Sequence, residues 1–153
     1  MSLVKAYFLI TIILLVDQVS KIYVKTNFIL GEEIHVFDWF RIHFIENKGM
    51  AWGVEIPGQY GKLVISIFRI LVVPGIAYWL WDAVERKKSS NYLIVAIALI
   101  LAGAVGNIID SVFYGVIFDD SYGQLATIFT DNPYGIWLNG QVVDMLYFPF
   151  VRD

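Results

Sequence analysis

Hydrophobic positions in this chain fall into long, nearly unbroken runs. Residues 3–24, 63–81 and 92–110 are each almost wholly apolar. Each approaches the roughly 20 residues that a helix, rising about 1.5 Å per residue, needs to cross the hydrocarbon of a bilayer. The pattern predicts three transmembrane helices, the second with a kink at Pro74. The first run ends in Asp17-Gln18-Val19-Ser20-Lys21. No small-x-small cleavage site follows, so it reads as a retained membrane anchor and not a secretory leader.

Between the first two runs the period changes. Across residues 34–45, Phe40, Ile42 and Phe44 alternate with Arg41 and His43, the period of two and the residue types that favour strands. Gly31, Gly49, Gly53 and Pro57-Gly58 punctuate the stretch as turns. Residues 25–62 therefore predict a small β-sheet at the membrane surface, with Trp39, Trp52 and Tyr60 in the headgroup layer. After the third run, residues 111–141 are rich in Phe, Tyr and Gly. They read either as an interfacial or lid-like elaboration or as a loop with no catalytic part. No repeat or low-complexity tract divides the chain, and the reading is a single membrane domain of residues 1–153, mainly α.

Composition reinforces the choice of lipid as solvent. Of the 153 residues, 58% are hydrophobic and 16% charged, against about 25% charged in ordinary soluble domains. That excludes a disordered or fibrous chain. The absence of Cys excludes a disulfide framework, a thiolate nucleophile and a Cys-ligated metal. A net charge of -3 gives no reason to expect a nucleic-acid partner. Arg86, Lys87 and Lys88 crowd the short connection between the second and third runs, which places that connection and the N-terminus in the cytoplasm. Residues 25–62 and everything beyond residue 110 then lie on the outer face.

Ionisable residues inside a span cost about 2.5 to 3.5 kcal/mol each on insertion scales, so each needs an explanation. Asp17 and Lys21, four apart on one helical face, can be a satisfied ion pair; a functional carboxylate at Asp17 is the alternative. Lys21 and Arg69, near the ends of their runs, can snorkel to the interface, and Arg69 can also meet a lipid phosphate. In the third run, small residues at Ala102 and Gly106 allow a second helix to approach closely. Asn107 and Asp110 share one face at its end, where the helix dipole disfavours an anion and Asp110 lacks an evident partner. Asp144, alone in the apolar run Gln141-Val142-Val143-Asp144-Met145, is either a solvated surface carboxylate or a desolvated one with a raised pKa, suited to acid-base work. His35 and His43 read as surface histidines, with no metal-ligand spacing around them.

Taken together, four segments carry a resemblance. Asp17-Gln18-Val19-Ser20-Lys21, Glu46-Asn47-Lys48-Gly49-Met50-Ala51-Trp52-Gly53, Gly106-Asn107-Ile108-Ile109-Asp110 and Val142-Val143-Asp144 resemble, in order and spacing, motifs of the lipoprotein signal peptidases (signal peptidase II). The resemblance implies an aspartic endopeptidase of the bacterial cytoplasmic (inner) membrane, with its active site toward the outer face. It would remove signal peptides from prolipoproteins by cutting before a diacylglyceryl-modified cysteine, without metal or cofactor. Its partners would be that substrate and membrane lipid, and the expected state is a monomer. Asp144 matches one of two catalytic aspartates. Asn47, Gly49, Asn107 and Asp110 match positions that shape the site. Asp17, followed by Lys21, matches a first-span position tied to stability and substrate binding. The outer β segment matches a cradle resting on the membrane.

Two departures bear on activity. Beyond the Val-Val-Asp segment the family pattern continues to an Asn-x-x-Asp motif that carries the second catalytic aspartate and opens a fourth span, and neither follows Asp144 within residues 1–153. These residues alone are therefore expected to be inactive, as a truncated form of a longer enzyme. Ser111 also stands where the family has an arginine, leaving open how Asp110 is neutralised. The rival expectation is a non-catalytic membrane protein that binds lipid or peptide.

Overall fold

The computed structural model of the protein describes residues 1–48 and 55–150. Gly49, Trp52 and Gly53, read above as site, headgroup and turn residues, lie outside them. Three helices carry the apolar runs. Helix α1 spans Leu3–Asn27, its first turn closed by the Ser2 hydroxyl accepting from the Lys5 amide. Helix α2 spans Gly61–Trp81 and runs through Pro74 without ending; a π turn, Asp82–Arg86, follows it. Helix α3 spans Asn91–Ile109, capped by Ser90 in the same way as α1. Two boundaries differ from the hydrophobic pattern. Lys25, assigned above to the outer segment, is helical. Asp110 does not end α3, because a π turn, Asp110–Tyr114, and a last α turn, Gly115–Ile117, continue it.

Helix α3 packs between α1 and α2. Ala6, Ile10, Leu80, Ile94, Ile97 and Leu101 close the core among them. Many other apolar side chains point outward, with Phe8, Leu15, Val19, Leu71 and Tyr92 all exposed. So much outward apolar surface on three helices of spanning length is the arrangement of a multi-pass membrane protein, whose hydrocarbon solvent makes further burial unnecessary.

Above one end of the bundle lies an antiparallel sheet of order β1-β2-β3, formed by Glu33–Phe37, Phe40–Asn47 and Val142–Tyr147. The alternation in residues 34–45 resolves into a hairpin turning at Asp38-Trp39. The third strand comes from the apolar run around Asp144, which the pattern did not assign to the sheet. Ile45 stands opposite Asp144 and Asn47 opposite Val142. Residues 111–141, read above as either an interfacial or lid-like elaboration or a loop with no catalytic part, pack back onto the end of α3. Carbonyls at its widened end accept from the returning backbone: Ser111 from Gly140 at 2.9 Å, Val112 from Leu138 at 3.2 Å and Gly115 from Gly135 at 2.8 Å. The strap thus supplies donors that a helix terminus otherwise lacks. A second core, including Val24, Phe28, Phe44, Tyr114, Phe118 and Val143, joins α1, the sheet and the strap.

One buried cation fastens these layers. Lys25 is fully buried; its ammonium pairs with Glu46 of β2 and donates to Ser121 Oγ of the strap at 3.1 Å. The rings of Phe44, Phe118 and Tyr134 surround it at 5.9, 5.3 and 4.9 Å, where their π faces attract a cation. Removing one member of a buried ion pair typically costs about 3–5 kcal/mol because the other charge is stranded. Lys25→Met should therefore lower stability by about that amount. Adding Glu46→Leu should recover more than half of the loss, as read from thermal midpoints of the purified protein. A second constraint lies at the α1–α3 contact, where a Cβ on Gly106 would stand 2.5 Å from Asp17 Oδ2. Gly106→Ala should cost about 1–3 kcal/mol by overpacking, on the same melting assay.

Candidate active site

Asp17, Gln18 and Lys21 occupy one side of α1 because residues three and four apart on a helix are neighbours. Asn107 and Asp110 share a face of α3 for the same reason. Gly106, with no side chain, lets the two faces meet. Lys21 Nζ lies 2.9 Å from Asp110 Oδ2 and 3.2 Å from Asp17 Oδ2, and donates to Asn107 Oδ1 at 3.2 Å. Those three acceptors match the three donors of an ammonium. Lys21 is only 4% exposed, so it turns inward and does not snorkel. A lysine beside two carboxylates gains more from them than from the interface.

Asp110 is 0% exposed and fully engaged. Besides Lys21, it accepts from Gln18 Nε2 at 3.1 Å and from the Val143 amide at 3.0 Å. Gln18 Nε2 also lies 3.1 Å from Asp17 Oδ2 and 3.2 Å from the Gly106 carbonyl, while Gln18 Oε1 accepts from the Tyr114 hydroxyl at 2.7 Å. The expected cost of an unpartnered anion at a helix end is therefore absent: the helix continues, and three donors meet the carboxylate. The open question of its neutralisation is answered by Lys21. Ser111, in place of the expected arginine, accepts instead from Arg69 Nη1 at 2.9 Å. Arg69 reaches inward from α2, where snorkelling or a lipid phosphate had been the expectation.

Asp144 follows the residue whose amide Asp110 holds, so the buried network fixes the strand that carries it. Its side chain opens into a cavity of about 730 Å³. Ile12, Ile13, Val16, Met145 and Leu146 make apolar walls; Asp17, Lys21 and Asn107 share the polar end with Asp144. Asn47, at the end of β2, hydrogen-bonds the Asp144 carboxyl. Asp144 is accessible to solvent, but from within a protein-walled recess. Desolvation there pushes its carboxyl above the usual carboxylate range, opposed by the Asn47 hydrogen bond and the charges of Lys21 and Arg69. Asp110 is thus a structural acceptor, whereas Asp144 is a carboxyl able to hold or accept a proton at the edge of a cavity.

The structure gathers Asp17, Lys21, Asn47, Asn107, Asp110 and Asp144 at one end of the bundle; Gly49 lies outside the described residues. Gln18 and Tyr114, which complete the network, and the Arg69–Ser111 contact were not assigned from sequence. Three polar residues on α2, Lys62, Ser66 and Arg69 at i, i+4 and i+7, were the available signal for the last. His35 and His43 sit on the sheet surface, 3.6 and 3.7 Å from Asp38 and Glu33. Among the described residues no group of His, Asp and Glu gathers as a metal site.

Comparison with known proteins places this geometry. Residues 9–152 match the family model described as Signal peptidase (SPase) II. A lipoprotein signal peptidase of Porphyromonas gingivalis is 46% identical over 145 residues, 94% of this chain and 63% of that protein. One from Amoebophilus asiaticus is 35% identical over 149 residues, 94% of this chain and 58% of that protein. The chain thus spans about three-fifths of the length of these relatives. Two solved structures of a bacterial membrane enzyme, obtained by the in meso method at 2.3 and 1.9 Å resolution, share the fold. Their TM-scores are 0.67 and 0.65 at 22% and 23% identity, covering 97% of this chain and 72% and 76% of theirs. An ordered set of polar motifs, gathered by three membrane helices and a small sheet around the cavity that Asp144 faces, accompanies a family match along nearly the whole sequence: this chain belongs to the signal peptidase II family.

Proposed function

We propose that the protein is an aspartic endopeptidase that removes signal peptides from diacylglyceryl-modified prolipoproteins. The observation that carries this reading is Asp144, a solvent-accessible carboxyl facing a large apolar-walled cavity, on a strand held by a buried network that uses up Asp110. Apolar walls suit a lipidated substrate and a hydrophobic signal helix, and the polar end provides the place for hydrolysis. The reading sets the enzyme in the bacterial cytoplasmic membrane with this end outward, in keeping with the basic cluster Arg86, Lys87 and Lys88 at the opposite end of the bundle.

The reaction needs two carboxyl groups that share one proton. The ionised member takes a proton from water as its oxygen attacks the carbonyl before the modified cysteine. The protonated member donates to the carbonyl oxygen, and the tetrahedral intermediate collapses as the departing amine takes up a proton. Asp17 also borders the cavity, but Lys21 and Gln18 already use its carboxylate, so it is proposed to shape the substrate site with Asn47 and Asn107. The family pattern assigns the second catalytic carboxylate to an Asn-x-x-Asp motif that comes after the Val-Val-Asp segment.

The test is cleavage of a diacylglyceryl prolipoprotein by the protein expressed from its complete reading frame. Asp144→Asn should lower kcat by at least about a hundredfold while leaving the thermal midpoint within a few degrees; full activity in that variant removes the assignment. The pH profile of kcat/KM should be bell-shaped, its two limbs belonging to the pair and not to either residue. Because burial raises the Asp144 pKa, the base form appears at higher pH than for an ordinary carboxylate, so the limb set by Asp144 should lie above about pH 4. An acid limb and an alkaline limb both below that value would contradict the role of Asp144.

A further inference from the structure

The strap returns to the bundle at a definite depth. Ser66 of α2 is buried and donates to the Leu138 carbonyl at 2.8 Å. The Leu138 amide donates in turn to the Val112 carbonyl, on the continuation of α3, at 3.2 Å. Leu138 takes a left-handed conformation, φ 66°, which leucine rarely adopts; bonds to two membrane helices hold it there. Ser66 lies about 7.5 Å along the axis from the start of α2 at Gly61. The apolar span that begins at Gly61 has 26 residues, a length of about 39 Å against about 30 Å of hydrocarbon. With the excess shared between its two ends, Ser66 and the Leu138 backbone bonded to it stand at the boundary between headgroups and hydrocarbon.

At that level the strap turns apolar side chains outward. Ile136 is 65% and Trp137 60% exposed, and the Trp137 ring meets Phe113 edge-on with centroids 5.6 Å apart. Phe113 belongs to the continuation of α3 and is itself exposed, as are Val64 and Phe68, which flank Ser66 along α2. The patch is therefore continuous with the outward apolar surface of the membrane helices. The Gly135, Leu138, Asn139 and Gly140 amides all donate to carbonyls within the protein, so a backbone that is not helical can lie at this depth. We propose that Ile136 and Trp137 form an interfacial anchor, set into the phospholipid leaflet at the site end of the bundle, with the Trp137 ring in the layer between headgroups and acyl chains where indoles concentrate. The partner is the lipid surface itself. The strap runs on from this anchor through Gly140 and Gln141 into the strand that carries Asp144. None of this depends on the peptidase reading, which stands or falls separately.

Residues 1–153 contain no Cys, which lets a single nitroxide report depth. The test uses protein from the complete reading frame in phosphatidylethanolamine–phosphatidylglycerol liposomes, spin-labelled singly at Ile136→Cys or Trp137→Cys, with any cysteine outside residues 1–153 replaced by serine. Labels at Asp131→Cys, exposed on the strap, and at Leu71→Cys, exposed midway along α2, are the references for water and lipid. Power-saturation EPR should find the labels at 136 and 137 at least about fivefold less accessible to a water-soluble nickel chelate than the label at 131, since a polar complex is costly to bring among acyl chains. Their accessibility to oxygen should be no lower than at 131 and approach that at 71. Nickel accessibility equal to that at 131 places the strap in water and overturns the proposal. Shielding from both reagents puts protein over the patch and overturns it as well. The native indole gives a second reading: the fluorescence component lost in Trp137→Phe should be quenched more strongly by phospholipids brominated near the headgroup end of their chains than by those brominated at the chain ends. A component that neither lipid quenches overturns the proposal.

Discussion

The Lys21 ammonium, held between the carboxylates of Asp17 and Asp110, is the interaction from which the site end of the molecule is built. Each of these groups is expensive in a membrane helix by itself. Brought together, they satisfy one another, but only if α1 and α3 approach closely enough, and Gly106 permits that approach. Asp110 can then extend its remaining capacity to the Val143 amide. A constraint inside the bundle thereby reaches the sheet and sets the direction of the strand that carries Asp144.

Two aspartates close in space have opposite fates for this reason. Asp110 is surrounded by donors and has no access to solvent, which suits a fixed hydrogen-bond acceptor. Asp144 has fewer donors and a cavity in front of it, which suits a carboxyl that changes protonation. The layer above is held by a separate device, the Lys25–Glu46 pair in its aromatic cage. Between them the two buried lysines, one turn apart on α1, secure α3, β2 and the strap to one helix face. A stable pair of charges in so little water also makes the geometry intolerant of losing either partner.

Much of this was legible in the sequence. An apolar run of spanning length admits few structures in lipid, and the alternation of Phe40, Ile42 and Phe44 left little doubt of a strand. The ordered motifs named the family. What escaped was the direction taken by charges near helix ends. Lys21, Lys25 and Arg69 occupy positions from which a long side chain reaches either the interface or the bundle, and the choice depends on partners distant in sequence. Glu46 is 21 residues from Lys25, and Ser111 is 42 from Arg69. The continuation of α3 past Asp110 was hidden for a similar reason: its widened turn is completed by backbone donors from residues 135–140. The third strand was missed because Val142-Val143 reads equally as core and as strand until β2 supplies its edge.

Central to the account is that Lys21 orients Asp144 through Asp110 and the Val143 amide. Hydrogen–deuterium exchange resolved to Val143 measures that link directly, in the wild type and in Lys21→Met. A hydrogen bond to a charged acceptor contributes about 1.5–3 kcal/mol, so the account predicts exchange at Val143 at least about tenfold faster in the variant, with protection in the α3 core at residues 94–101 unchanged. Equal protection of Val143 in the two proteins would contradict it.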